Sequence, residues 1–559
     1  MRGTVTADLV VRNARVITMD PRAPEQEAFA VAGGRILAAG TSRQMMRLAG
    51  PGTEVLDLGG KVVTPGLIDT HIHVVSLGSV GAGAGLGFLA TGSTVDVSAA
   101  KSADDILSLV AERVRTSAPG EWIIAGWPPA LRKGGAMPDR HALDRVAPDH
   151  RVMLTGYPYS VVNSRLLREA GITAATPVPE GGEIVKDPVT GEPTGALAFQ
   201  AIYQLLPTPP EPPVHETESA ILRVQREFLS EGLTAYKDVG LRDNAIKAYQ
   251  NLRMRGDLLC RAQMMYTWLW SVRDAERAAA RFTPYGDEWL ALRSVKLSLD
   301  GGITSHTAWA HEDWHRDFTR PVPGSRGYWK IPPDALMQMV DILNAAGLQI
   351  GCHVEGDRAI DLYLDALEAA LARVPRPDAR HSLIHCTNPT AEANARMARL
   401  GRSVCIETQA PWLGDADWAA AMGPERSARF IPLRSWLDLG IIVGNSCDFP
   451  PEPFPPKIGL SLACTREVED TRWGTHPFGT DECLTFAQAL HTYTLGAAEC
   501  LGWDEHIGSI EPGKCADFVV WQEALPDIHP RDIRHATVLM TAVGGRVLYL
   551  REAEKVAGG

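Results

Sequence analysis

No apolar run in this 559-residue chain approaches the ~20 residues that a membrane-spanning helix requires. Basic charge is not in excess either. Lys and Arg number 55 against 67 Asp and Glu, a formal charge of −12, so a face for nucleic acid or anionic membrane is not expected. Cysteine is sparse and odd in number, nine residues with no Cys-X-X-Cys spacing. That argues against a disulfide framework and against a zinc ribbon. The opening residues Met1-Arg2-Gly3-Thr4-Val5 lack the hydrophobic stretch of a secretory signal and pass directly into strand-like sequence. The expectation is a cytoplasmic protein with a small-molecule partner, with a homodimer as the candidate assembly.

What is present is a long α/β pattern between two β-rich ends. Short strands at 8–18, 28–32, 35–39 and 53–57 are punctuated by Gly33-Gly34, a two-residue hairpin signal. The far end mirrors them, with strands at 516–521, 537–543 and 546–550 and a Gly544-Gly545 turn. Neither set makes a stable core alone, so the two are expected to pair into one small β-sandwich. Between them lie eight apolar strand candidates at 67–73, 233–240, 261–268, 294–300, 349–354, 381–386, 403–408 and 441–447. Eight strands with intervening helices predict a distorted (β/α)8 barrel. The gap after the first strand is too long for a crossover and is rich in turns. It ends in the proline run Pro207-Thr208-Pro209-Pro210-Glu211-Pro212-Pro213, a semi-rigid linker. The expected division is 1–64 as the first part of the sandwich, 65–117 with 214–485 as the barrel, 118–213 as an inserted subdomain, and 486–559 as a helix plus the rest of the sandwich.

The first barrel strand ends in His71-Ile72-His73. Side chains two apart on a strand share a face, so both imidazoles project together. Other groups with ligand chemistry sit at later strand ends: Lys296, His353, His385 and Asp448. Taken singly, each has an ordinary explanation, such as a satisfied core histidine, a capping aspartate, or a lysine paired with Asp300. Together, on strands one, four, five, six and eight, they converge on the face where such barrels gather their chemistry. Imidazoles with a carboxylate suit zinc or another borderline divalent ion, one or two in number. Asp448 is the candidate proton carrier as well as a ligand.

At this point the chain resembles the amidohydrolase superfamily, and within it the amidohydrolase-3 group with YtcJ-like proteins and N-substituted formamide deformylases. The residues that carry the resemblance span nearly the whole chain. They are Pro65 to His73, Glu121 to Trp127, Val162-Asn163-Ser164, Gly191 to Gly195, Val295 to Gly301, His353 to Asp357, Gly508 to Lys514, and Ala516-Asp517. The resemblance implies a two-part sandwich, a distorted barrel and a metal centre, with Lys296 a candidate for N6-carboxylation and for bridging two ions. An unmodified lysine is a cation and cannot ligate; carbon dioxide would convert its neutral amine into an anionic oxygen donor.

Substrate-facing candidates are Trp127, Trp309 and Trp412 as an aromatic wall and His306 as a carbonyl contact. Tyr157 stands where related sequences often carry histidine. Glu355 stands where a small or apolar residue is typical, and either meets a cationic group or pairs with Arg358. The leading expectation is a metal-dependent hydrolase that cleaves a C–N bond in a small, aromatic-bearing amide, formamide, carbamate or cyclic amide. A heterocyclic amine deaminase on the same centre is the alternative, and a non-catalytic scaffold the last.

Overall fold

A computed structural model describes residues 6–75, 94–97, 99–126, 137–155, 159–179, 182–303, 306–314, 326–414, 422–448, 454–468 and 479–551. Eight parallel strands form one sheet: β1 (Leu67–Ile72), β2 (Leu233–Leu241), β3 (Arg261–Trp268), β4 (Leu290–Ser298), β5 (Gln349–Val354), β6 (His381–His385), β7 (Val404–Thr408) and β8 (Val443–Asn445), neighbours in that order. All eight predicted strands are present. No described helix is long and apolar enough to cross a membrane.

The regular ladder runs from β1 round to β8, and those two ends meet through two side chains and one backbone bond. Thr70 Oγ1 donates to the Asn445 carbonyl at 3.1 Å. The Asp69 carboxylate accepts the His71 N–H at 2.9 Å on one oxygen and the Cys447 N–H at 3.0 Å on the other. The Asp448 N–H then reaches the His71 carbonyl at 3.1 Å. One buried aspartate thus closes the barrel and seats the ends of both strands.

The sandwich is built from both chain ends, as expected. One sheet runs Arg35–Gly40, Ala28–Ala32, Ala7–Arg12, Ala49–Asp57. The other runs Arg546–Leu550, Val538–Val543, Phe518–Trp521, Val62–Pro65, Arg15–Ile17, Glu25–Gln26. Phe518–Trp521 lies antiparallel to Val62–Pro65, with Phe518 opposite Pro65 and Trp521 opposite Val62. Phe29 of one sheet meets Phe518 of the other edge-on, ring centres 5.1 Å apart. Burying a side chain of that size contributes roughly 1.5–3 kcal/mol. Both Gly-Gly turns have positive φ at each glycine, between 56° and 76°, as tight hairpins of this handedness demand. The sandwich is tied to the barrel by Asp517, which takes Arg261 Nε at 2.6 Å and Nη2 at 2.9 Å while accepting the Gly544 N–H.

The excursion after β1 forms its own sheet: Gly182–Lys186, Pro193–Phe199, Tyr159–Val162, Arg151–Thr155, Trp122–Gly126, Thr94–Val95. Its edge strand lies upstream of residue 118, where sequence alone placed the boundary. The helix Ala103–Val114 also buries Ile106 and Val110 in the apolar cluster of this sheet. A two-residue strand carries no readable periodicity, which is why that edge was missed. Asn163 holds the layer together: its side chain accepts the Val152 and Leu166 N–H groups and donates to the Ala147 and His150 carbonyls. The proline run is strapped to the barrel, Arg242 donating to the Pro209 carbonyl and Asn244 to that of Pro212.

Inside the barrel Lys237 of β2 and Glu407 of β7 form an ion pair with no exposure on either side chain. Losing one partner would strand the other charge away from water, which costs about 3–5 kcal/mol. Glu407→Gln is therefore expected to lower unfolding free energy by about that much in denaturant titrations followed by circular dichroism. The double variant Lys237→Met/Glu407→Leu should recover most of it. A Glu407→Gln loss below ~1 kcal/mol would rule out a stranded charge.

Candidate metal centre

The site stands at the C-terminal ends of the barrel strands. His71 and His73 flank Ile72, the last residue of β1, and share a face. Their rings meet edge-on at 5.0 Å. Asp448 follows β8, and its Oδ1 lies 3.3 Å from His71 Nε2 and 3.1 Å from His73 Nε2. His353 of β5 and His385 of β6 are a second pair, ring centres 4.5 Å apart, and His71 lies 5.5 Å from His385. Asp448 and His385 both adopt left-handed backbone, with φ of 54° and 71°. Such conformations cost roughly 1–3 kcal/mol each and persist where surrounding structure imposes them.

Whether these residues suit a divalent ion can be judged from their unmet polar atoms. Both ring nitrogens of buried His71, and Asp448 Oδ1, have no hydrogen-bond partner among the described residues. The other histidines each have one nitrogen occupied. His73 Nδ1 lies 3.1 Å from the Val239 carbonyl, His385 Nδ1 2.7 Å from Gln409 Oε1, and His353 Nε2 2.9 Å from the Gly301 carbonyl. An oxygen acceptor fixes the proton there and leaves a lone pair on the other nitrogen, the arrangement typical of metal-ligating histidine. Burial holds the pKa of His71 and His353 well below the usual value and that of His385 at about 3, so all three are neutral near pH 7. Burial opposes ionisation of Asp448, but the His71 and His73 imidazoles beside it keep its pKa well below the ordinary carboxylate range. The donor atoms fall into two sets, His71, His73, Asp448 and His353, Glu355, His385, each within 4.8 Å. The residues fit one or two divalent ions.

Lys296 on β4 is buried, and desolvation brings its pKa down to about 8, with Asp448 and Glu407 acting in the opposite sense. It is not paired with Asp300. That carboxylate is occupied by the N–H groups of Trp309, Glu355 and Gly356.

The substrate-facing candidates divide. Trp412 lies flat on His385, ring centres 4.9 Å apart and planes within 14°. The Trp309 ring is covered by the Arg358 guanidinium at 4.3 Å, so Arg358 is taken up there rather than by Glu355. His306 sits in a left-handed turn, φ 56°, with its ring tilted toward Trp314 at 6.2 Å; it joins neither donor set. Glu355 is buried beside His353. Trp127 and Tyr157 lie outside the described residues.

Sequence reading missed three partners. Trp268 stacks on His73 at 5.8 Å with planes within 23°. Gly240, φ +83°, makes room for it, since a Cβ there would stand 2.4 Å from the indole. Gln409 orients His385, and Asp69 seats the strand ends. Trp268 ends its strand and Gln409 is the first residue after β7, so position at the chemical face of the barrel was the available signal.

The family model described as "Amidohydrolase family" matches residues 54–549. The chain belongs to the amidohydrolase family. Membership makes it a hydrolase acting on carbon–nitrogen bonds other than peptide bonds. This amidohydrolase is 30% identical to N-substituted formamide deformylase of Arthrobacter pascens, over 98% of the chain and 99% of that protein. It is 29% identical to Protein LONG AFTER FAR-RED 3 of Arabidopsis thaliana, over 98% and 92%. An uncharacterized metal-dependent hydrolase from Pyrococcus horikoshii shares its fold at TM-score 0.71 and 20% identity, over 93% and 99%.

Outer partners of ligating histidines are worth about 10–100-fold in metal affinity. Gln409→Leu should weaken retention by that factor in competition with a chromophoric chelator, with the fold intact by circular dichroism. Unchanged retention would show that Gln409 does not orient a ligand.

Proposed function

We propose that this amidohydrolase cleaves the C–N bond of a small, neutral amide or formamide bearing an aromatic group. The observation that carries the reading is the set of unpartnered, buried donors of His71 and Asp448, facing neutral His385 beneath a flat tryptophan. The full-length similarity to a formamide deformylase points to the same bond type.

His71, His73, Asp448, His353 and His385 would hold the ion or ions, with zinc the best match to the donors. A bound divalent ion lowers the pKa of its water toward ~7 and so supplies a nucleophile at neutral pH. The protein's own part follows from its side chains. Asp448, ionised and next to both histidines of β1, takes up the proton released on attack and returns it to the departing nitrogen. Trp268 and Trp412 lie against His73 and His385, exclude water from that side and offer flat faces to an aromatic substituent. Lys296, with its pKa brought down to about 8, has a usable fraction of neutral amine near neutral pH and is the residue open to carboxylation.

Asp448→Asn is expected to lower kcat by about 100- to 10,000-fold. A variant that keeps most of its activity would remove Asp448 from the mechanism. The substrate class is tested with a panel of formanilides, aryl amides and heterocyclic amines on zinc-loaded enzyme. Carboxylate plus an aromatic amine is the expected product pair, and ammonia release from a heterocycle would replace the proposal with deamination.

Carboxylation has its own readout. With carbon-13 bicarbonate, a carbamate resonance should appear and strengthen from roughly pH 6.5 to 8, because the neutral amine rises about tenfold per pH unit below its pKa. Lys296→Met should abolish it, and a resonance that survives the substitution belongs to another residue.

A further inference from the structure

We propose that the N-terminal end of the barrel, opposite the metal centre, forms a binding pocket for a small organic molecule carrying an oxyanion, a phosphate or carboxylate group. A cavity of about 360 Å³ lies at the starts of β4, β5 and β6. Arg293 of β4 and Arg376 and Arg380 ahead of β6 line it, together with Tyr285, Leu501 and Gly502. A space of that size takes more than a bare ion.

Charge at this end is unevenly matched. Arg380 is buried and balanced, its Nε 3.0 Å from Asp378 and its Nη1 2.5 Å from Asp504. Arg402 also reaches both of these carboxylates, so Asp378, the acidic residue on the cavity wall, is taken twice over. Arg293 and Arg376 have no carboxylate partner among the described residues. Their hydrogen bonds go to backbone carbonyls instead. Arg293 Nη1 donates to Gly502 at 3.2 Å, and Arg376 donates to Leu348 through Nη1 and to Gly347 through Nη2, both at 2.8 Å. Those carbonyls follow the helices Leu495–Leu501 and Pro333–Ala345, and capping them explains why arginines stand here. Capping fixes the guanidiniums in place but does not neutralise them, because a carbonyl carries only partial charge. Burial lowers the pKa of both, and the Arg380 charge lowers that of Arg293 further.

Gly502 leaves an opening between two of the guanidiniums. A Cβ there would stand 3.3 Å from Arg293 Nη1 and 3.9 Å from Arg380 Nη1, so both face one spot with no side chain between them. Arg380 holds a left-handed backbone, φ 52°, which a long side chain adopts only where its surroundings impose it. Like charges held this close repel, and an anion beside them offsets the repulsion. Guanidinium forks match the paired oxygens of a carboxylate or phosphate, which favours oxyanions over a halide. Tyr285 and Leu501 supply an apolar wall for the body of the ligand. β5 and β6 carry His353 and His385 at their other ends. The four residues from Gln349 to His353 span about 13 Å, so this pocket is separate from the metal centre.

The test is isothermal titration of the full chain with inorganic phosphate and with acetate, at an ionic strength fixed by chloride. One anion per chain is expected, with phosphate or acetate preferred over chloride. The tighter of the two identifies the group that the natural ligand carries. Arg293→Gln and Arg376→Gln should each weaken binding more than about tenfold. Arg399→Gln, which removes an exposed arginine paired with Glu392, should leave it unchanged. Circular dichroism checks that each variant folds. Binding that survives both cavity substitutions, as binding at the metal centre would, overturns the proposal. So does an equal loss in Arg399→Gln, or a wild type that takes up neither anion. Anomalous diffraction from wild-type crystals soaked in selenate reads the same point without a variant. A peak beside Arg293 and Arg376 supports the assignment, and peaks confined to other places refute it.

Discussion

The closure of the barrel by Asp69 is the constraint from which the rest of the site follows. A regular ladder would join β8 to β1 by backbone alone and leave the strand ends free to choose their own register. Here a single carboxylate binds one N–H at the end of β1 and one just beyond β8, at 2.9 and 3.0 Å. These belong to His71 and Cys447, one a candidate ligand and the other next to Asp448. Closing the fold and assembling the first donor set are therefore the same event. The burial that makes this clasp dry also raises the Asp69 pKa to about 7, against the pull of its two N–H donors.

The same loss of water governs the donors. His71, His353 and His385 are kept neutral because an imidazolium would be poorly solvated there. Lys296 is brought toward its neutral amine for the identical reason, while the carboxylates Asp300 and Asp69 move in the opposite direction. Asp448 escapes, through the imidazoles beside it. A polar cluster in an apolar shell thus sorts its own protonation states without any group being tuned separately.

How much of this could be read from residues alone differs by type of interaction. His71, His73, His353, His385 and Asp448 were legible because a polar residue closing an apolar strand at the chemical face of a barrel is unusual in each case. The sandwich was legible from two Gly-Gly turns between alternating strands. Asp69 was not, since its second partner is 378 positions away and its own strand is fully buried. Trp268 was not, because a strand-end aromatic reads like any core residue until its neighbour is known. Glu355 was noticed as a departure, yet its surroundings, Asp300 in place of Arg358, came only from three-dimensional packing.

The pairing of Phe518–Trp521 with Val62–Pro65 has a consequence for biosynthesis. Val62–Pro65 leads through Gly66, whose N–H is held by the Asp517 carbonyl at 2.9 Å, directly into the strand that bears His71 and His73. A nascent chain emerging from the ribosome therefore lacks the partner that anchors its first candidate ligands until almost the entire polypeptide has been made. The first donor set gains this anchor only in the finished chain, and a product truncated before residue 518 would leave that set without it.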